Sequence, residues 1–138
     1  MRWPGCLLVA LLLLASDGTE DVQTEALGQP FELAVGGSVT IAETGLQLTL
    51  RGVAEDSRCP PDVNCFWAGR VVTDVEAWAP GDVAEAFVLA TCCPAPEAGR
   101  HSYAGQTIEL VGLRPAPAAA GQSIPIEDYR ADLLVSAD

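Results

Sequence analysis

Cys92, Cys93 and His101 are the residues of this chain best suited to metal or redox chemistry, because two thiolates and an imidazole suit zinc or copper. Their spacing works against it. Adjacent cysteines chelate one tetrahedral centre less well than Cys-x-x-Cys, and an oxidising compartment favours their oxidation. His101 is the only histidine, and Ser102 follows it, so the types for a Ser-His-acid system are present without a nucleophile elbow. A neutral loop position is the expectation for His101. Asp74 and Glu76 fall on one face of a strand pattern, where paired carboxylates do acid–base work only inside a cleft. Glu55, Asp56, Asp62 and Asn64 place hard oxygen ligands around one loop, outside calcium-loop spacing, so a solvated acidic face is the simpler reading. No Gly-rich phosphate loop occurs. Catalysis is therefore not expected, and no cofactor is implied.

The most distinctive run is Asp56-Ser57-Arg58-Cys59-Pro60-Pro61-Asp62-Val63-Asn64-Cys65-Phe66-Trp67-Ala68-Gly69. Cys59, Cys65, Cys92 and Cys93 permit three disulfide connectivities. Closing Cys59 to Cys65 contributes about 2 kcal/mol by the chain-entropy estimate, against about 3.5 for Cys65 with either later cysteine, too small a difference to choose. Pro60 and Pro61 stiffen a compact turn and favour the local bridge. Cys92 and Cys93 are then free thiols, a vicinal disulfide or partners of another chain. Phe66 and Trp67 are expected to cover one mouth of the core, with Gly69 turning the chain into the next strand. The competing reading makes Phe66, Trp67 and Trp78 an exposed aromatic patch for a protein or glycan.

Most of the chain has a period of two. Phe31, Leu33 and Val35 alternate before Gly36-Gly37; Leu46, Leu48 and Leu50 line one face of a later run; and Val71, Thr73, Val75 and Ala77 oppose Val72, Asp74, Glu76 and Trp78. Val83 to Leu89, Thr107 to Leu113 and Tyr129 to Val135 repeat the pattern, so at least six strands are implied. No helical apolar stripe appears beyond the amino terminus. Two packed sheets hide such faces best, which predicts an all-β, small antiparallel β-sandwich, immunoglobulin-like in general architecture, with a small β-barrel as alternative. Arg114 to Gln122 reads as an inter-strand loop, and Glu127 and Asp128 suit one helical turn.

Arg2 followed by the apolar run Leu7 to Ala15 reads as a secretory signal peptide, too short to span a bilayer. Cleavage after Gly18 is expected, with Ala15 and Ser16 as alternatives. Residues 1–18 are then a signal peptide and 19–138 a single domain, secreted or periplasmic and soluble, with no membrane insertion after processing. Cys6 precedes the apolar run, the wrong place for a lipid anchor. The net charge is −12 and stays there after cleavage, and all seven basic residues are arginine. That sign opposes nucleic-acid and anionic-membrane binding and leaves a cationic partner open.

The string Asp56-Ser57-Arg58-Cys59-Pro60, then Cys65, then Trp67-Ala68-Gly69, resembles a group of poorly characterised bacterial secreted proteins and lipoproteins with a DSRCP…CxWAG signature. Leu113-Arg114-Pro115-Ala116-Pro117 and Asp128-Tyr129-Arg130-Ala131-Asp132-Leu133 match later segments of that group. The resemblance implies a compact extracytoplasmic β domain with a Cys59–Cys65 bridge, and no activity. The chain lacks a cysteine at the cleavage point, unlike the lipoproteins. The functional expectation is a secreted non-catalytic binding domain for an extracellular protein or glycan, including inhibition of an extracellular protein. The alternative is a metal-binding or thiol-redox protein using Cys92, Cys93 and His101.

Overall fold

The structure, a computed structural model, describes residues 22–66, 69–91 and 96–138. The expected signal peptide, Trp67, Cys92 and Cys93 lie outside those residues. Among the described residues the strands are β1 (Gln23–Glu25), β2 (Pro30–Ala34), β3 (Ser38–Ile41), β4 (Gln47–Asp56), β5 (Val71–Trp78), β6 (Glu85–Thr91), β7 (Arg100–Tyr103), β8 (Gln106–Arg114) and β9 (Arg130–Ala137). They form two sheets, ordered β1-β3-β4-β5-β6 and β2-β9-β8-β7. All pairs are antiparallel except β1 with β3. The expected sandwich is therefore what forms, and it is not a closed barrel.

The connectivity explains why a barrel competes with it on sequence grounds. From β3 to β9 and on to β2 the strands follow one another around the molecule, as in an up-and-down barrel, yet no ladder joins β6 to β7 or β2 to β3. The ring is flattened and open at two seams. Side chains bridge one of them: the Tyr103 hydroxyl donates to the Val83 carbonyl at 2.8 Å, and Glu85 meets His101.

The alternating faces become the core. Phe31, Leu33, Val39, Ile41, Leu46, Leu48, Leu50, Val71, Val75 and Ala77 are buried, and with them Leu89, Ile108, Leu110, Leu113, Tyr129, Ala131, Leu133 and Val135. A bulge between Leu110 and Gly112 shifts the register of β8 against β9, so Leu110 and Leu113 both face inward although three residues apart. Thr73 is wholly buried and donates its hydroxyl to the Leu89 carbonyl at 3.1 Å, which satisfies the one polar group that the β5 pattern puts inside. The single helical turn expected near Glu127 is a 3-10 turn at Ile126–Asp128. No described helix is long and apolar enough to cross a membrane.

Tyr103 pairs with Gln106 across the two-residue turn Ala104-Gly105, whose φ angles are 50° and 74°. Both are left-handed, the geometry in which Asn-Gly is preferred and alanine is strained. Ala104→Asn should raise the unfolding free energy by about 0.5–1 kcal/mol. Urea denaturation checks this, and a lowered midpoint would contradict the turn assignment.

Candidate functional site

The segments of the sequence signature meet at one end of the sandwich. Asp56 closes β4, and two residues later Arg58 turns its guanidinium back onto that carboxylate, Nε to Oδ1 and Nη2 to Oδ2, each at 2.8 Å. The same guanidinium crosses to the other sheet. It donates through Nη1 to the Leu113 carbonyl at 2.6 Å and through Nη2 to the Pro115 carbonyl at 2.8 Å. The Tyr129 hydroxyl, just ahead of β9, donates to Asp56 Oδ2 at 2.7 Å. Arg58 thus ties the end of β4 to the end of β8, with Asp56 and Tyr129 completing the clamp. Planar bidentate pairing of this kind is specific to arginine.

The electrostatics make this a latch, not an acid–base pair. The Arg58 hydrogen bonds hold the Asp56 carboxyl below its usual range, overcoming burial that acts the other way. Tyr129 is pushed up to about 12, first by burial and then by its bond to Asp56. At neutral pH the carboxyl has no proton to give and the phenol keeps its own. A cavity of about 360 Å³ lies beside the clamp, walled by Pro60, Pro117, Ala119 and Ile124.

The Cys59 and Cys65 sulfurs are 2.12 Å apart, so the local pairing is the one that forms. The loop they close turns through Val63 N–H to the Pro60 carbonyl at 3.2 Å, and Asp62 Oδ1 accepts from the Ala120 amide at 3.0 Å. That second bond docks the loop on the 115–125 segment. Gly69 serves a different purpose from the one expected. A Cβ there would lie 2.2 Å from both Ser57 O and Arg58 Cα, so glycine is required by the close approach of two backbones, and its φ is not left-handed.

Phe66 does not cover the core. It is 99% exposed, while Leu113 and Tyr129 are buried at this end and the Arg58 clamp binds them. Nor does it share a patch with Trp78. Val71 pairs with Asp56 and Trp78 with Gln47, so Trp78 stands at the far end of the β4–β5 hairpin, roughly 23 Å along the strand. Trp78 is itself partly exposed, and sequence reading missed the exposure of Val88 on β6, opposite Asp74.

His101 belongs to β7 and not to a loop. Its Nε2 lies 2.7 Å from Glu85 Oε1, and its ring stacks on Phe87 with centroids 3.9 Å apart. Both contacts cross the β6–β7 seam. Ser102, next in the strand, faces the other way and meets Thr107 Oγ1 at 3.5 Å, so the histidine and that hydroxyl do not assemble. The set of Cys92, Cys93 and His101 lies partly outside the described residues. The four oxygens considered for calcium go to separate uses: Glu55 to Arg70, Asp56 to Arg58, Asp62 to the Ala120 amide, while Asn64 is exposed. Asp74 and Glu76 face outward from β5 over a shallow depression, not a cleft. Glu76 pairs with Arg51 at 3.2 Å.

No protein-family model, no curated protein and no solved structure matches this chain, so its own residues must carry any functional reading.

Proposed function

We propose that the chain is a secreted, non-catalytic binding domain that holds an extracellular protein through its disulfide-loop end, in the manner of an inhibitor or adaptor, and that it belongs to the bacterial DSRCP…CxWAG group. The observation that carries this is Phe66. A lone exposed apolar residue needs no explanation by itself. Here, however, the ring follows directly on a bridge that ties the loop, and the Arg58 clamp and the Asp62 contact fix that loop on both sides. An aromatic presented on a fixed backbone loses little conformational freedom on binding, which is what an interface anchor requires. The proposed export supplies the oxidising compartment in which the bridge persists.

The test is site-specific photocrosslinking. Phe66→benzoylphenylalanine, in the full chain exposed to the native extracytoplasmic fraction, should give a discrete protein adduct. The same probe in place of Val111, exposed on β8, should not. Adducts of equal pattern from both positions, or none from position 66, would sink the proposal.

A further inference from the structure

The two outer faces of the sandwich differ in how they use charge. On the β2-β9-β8-β7 sheet, Arg114 bonds Asp132 at 2.7 Å and also Glu32, and Arg130 approaches Glu32, a balanced network. On the other sheet, Asp74 stands opposite Val88 of β6 and Gly52 of β4, and Glu76 stands opposite Ala86. Gly52 contributes no side chain, Ala86 and Val88 of β6 only small apolar ones, and Arg51 at the edge turns to Glu76 at 3.2 Å. A shallow depression of about 420 Å³ results, with Asp74 beside it. Val88 is 55% exposed, while Trp78, on the same face of β5, lies beyond the depression towards the end of the strand.

Asp74 has no cationic side chain within 4.0 Å among the described residues, whereas every described arginine has a carboxylate within that distance. The chain contains no lysine. Among the described residues every arginine is thus already engaged, Arg51 at the edge of the same depression by Glu76, and the net charge of −12 draws positive groups towards the chain.

We propose that this face docks a basic polypeptide segment of a partner protein. An arginine or lysine of that segment pairs with Asp74, and its aliphatic stem lies on Ala86 and Val88. Long cationic side chains suit such a surface because they cover apolar atoms while keeping the charge at a carboxylate. The site lies in the middle of β5, away from Phe66, so either surface can fail without the other.

The test is fluorescence anisotropy of a labelled amphipathic leucine–lysine peptide, with a leucine–glutamate peptide as control, titrated with the bridged full chain at physiological ionic strength. Saturable binding of the basic peptide alone is expected. Asp74→Asn and Val88→Ser should each weaken it by about tenfold. Glu127→Gln, which removes the same charge from another exposed site, should leave it within about twofold. Both sites are at the surface, and unchanged melting temperatures confirm that folded proteins are being compared. An equal loss in Glu127→Gln would reduce the effect to net charge and overturn the proposal, as would binding untouched by Asp74→Asn. A dimer seen by sedimentation without peptide and dissolved by Val88→Ser would also overturn it, since a second copy would then occupy the face.

Discussion

Gly69→Ala is expected to lower the unfolding free energy by about 3 kcal/mol, which for a domain of this size lowers the melting temperature by roughly 10 °C. The added Cβ would meet Ser57 O and Arg58 Cα at 2.2 Å and Arg58 N at 2.6 Å. All three are backbone atoms, so no rotamer change relieves the contact. Nor can the two segments simply part. Ser57 N–H donates to the Arg70 carbonyl at 2.8 Å, Arg70 N–H donates to Ser57 Oγ at 3.0 Å, and the clamp holds the next residue. Gly81→Ala is the useful comparison: its φ is 87° but nothing stands within 4 Å, so only the left-handed penalty of about 1 kcal/mol applies. Denaturant titration of both variants separates the causes. Equal losses would mean that close approach at Gly69 is not what demands glycine.

Arg58→Met should cost about 3 kcal/mol at neutral pH, at the low end for breaking a buried pair because the two side chains retain some solvent contact. The loss has two parts: Asp56 keeps a charge without its main partner, and the Leu113 and Pro115 carbonyls lose their donor. Adding Asp56→Asn to Arg58→Met should recover part of it by removing the stranded charge.

The pH dependence has a definite sign. Asp56 titrates below its ordinary value in the folded protein, so its contribution is complete above the ordinary carboxylate range and disappears as pH falls through the depressed folded value. Without Arg58 the opposing burial dominates, and the acid transition of the variant should move to higher pH. Tyr129 behaves oppositely. Its folded value is raised to about 12, so its contribution is complete below the ordinary phenol value near 10 and is lost as pH rises through 12. Stability curves for wild type and Arg58→Met that run parallel from neutral to strongly acid pH would show that the clamp is not the cause.

Much of the architecture could be read from local pattern, because burial imposes a period of two on any strand with one wet face. Leu46, Leu48 and Leu50 and the run Tyr129, Ala131, Leu133 and Val135 announce their strands in that way, and all are buried. β1 and β7 escaped notice for the opposite reason. Each is three or four residues long, and β7 holds Arg100, His101 and Ser102 with only Tyr103 fully inside, so neither carries a pattern. The bulge in β8 likewise breaks the alternation at Gly112.

The site divides along the same line. The pairing of Cys59 with Cys65 was legible because both its cause, a stiff Pro60-Pro61 turn, and its partners lie within a few residues. Arg58 was legible only as a letter of a signature, since its partners Leu113 and Pro115 come from a distant strand end and are carbonyls, which every residue possesses. Local sequence thus determined the longer strands, the two-sheet class and the short bridge, which rest on alternation and on neighbours along the chain. Only the tertiary structure decided that Phe66 faces solvent, that Trp78 sits at the opposite end from it, that His101 pairs across a seam, and that Gly69 is demanded by another backbone. Those facts depend on which chain segments meet in space, and periodicity carries no record of that.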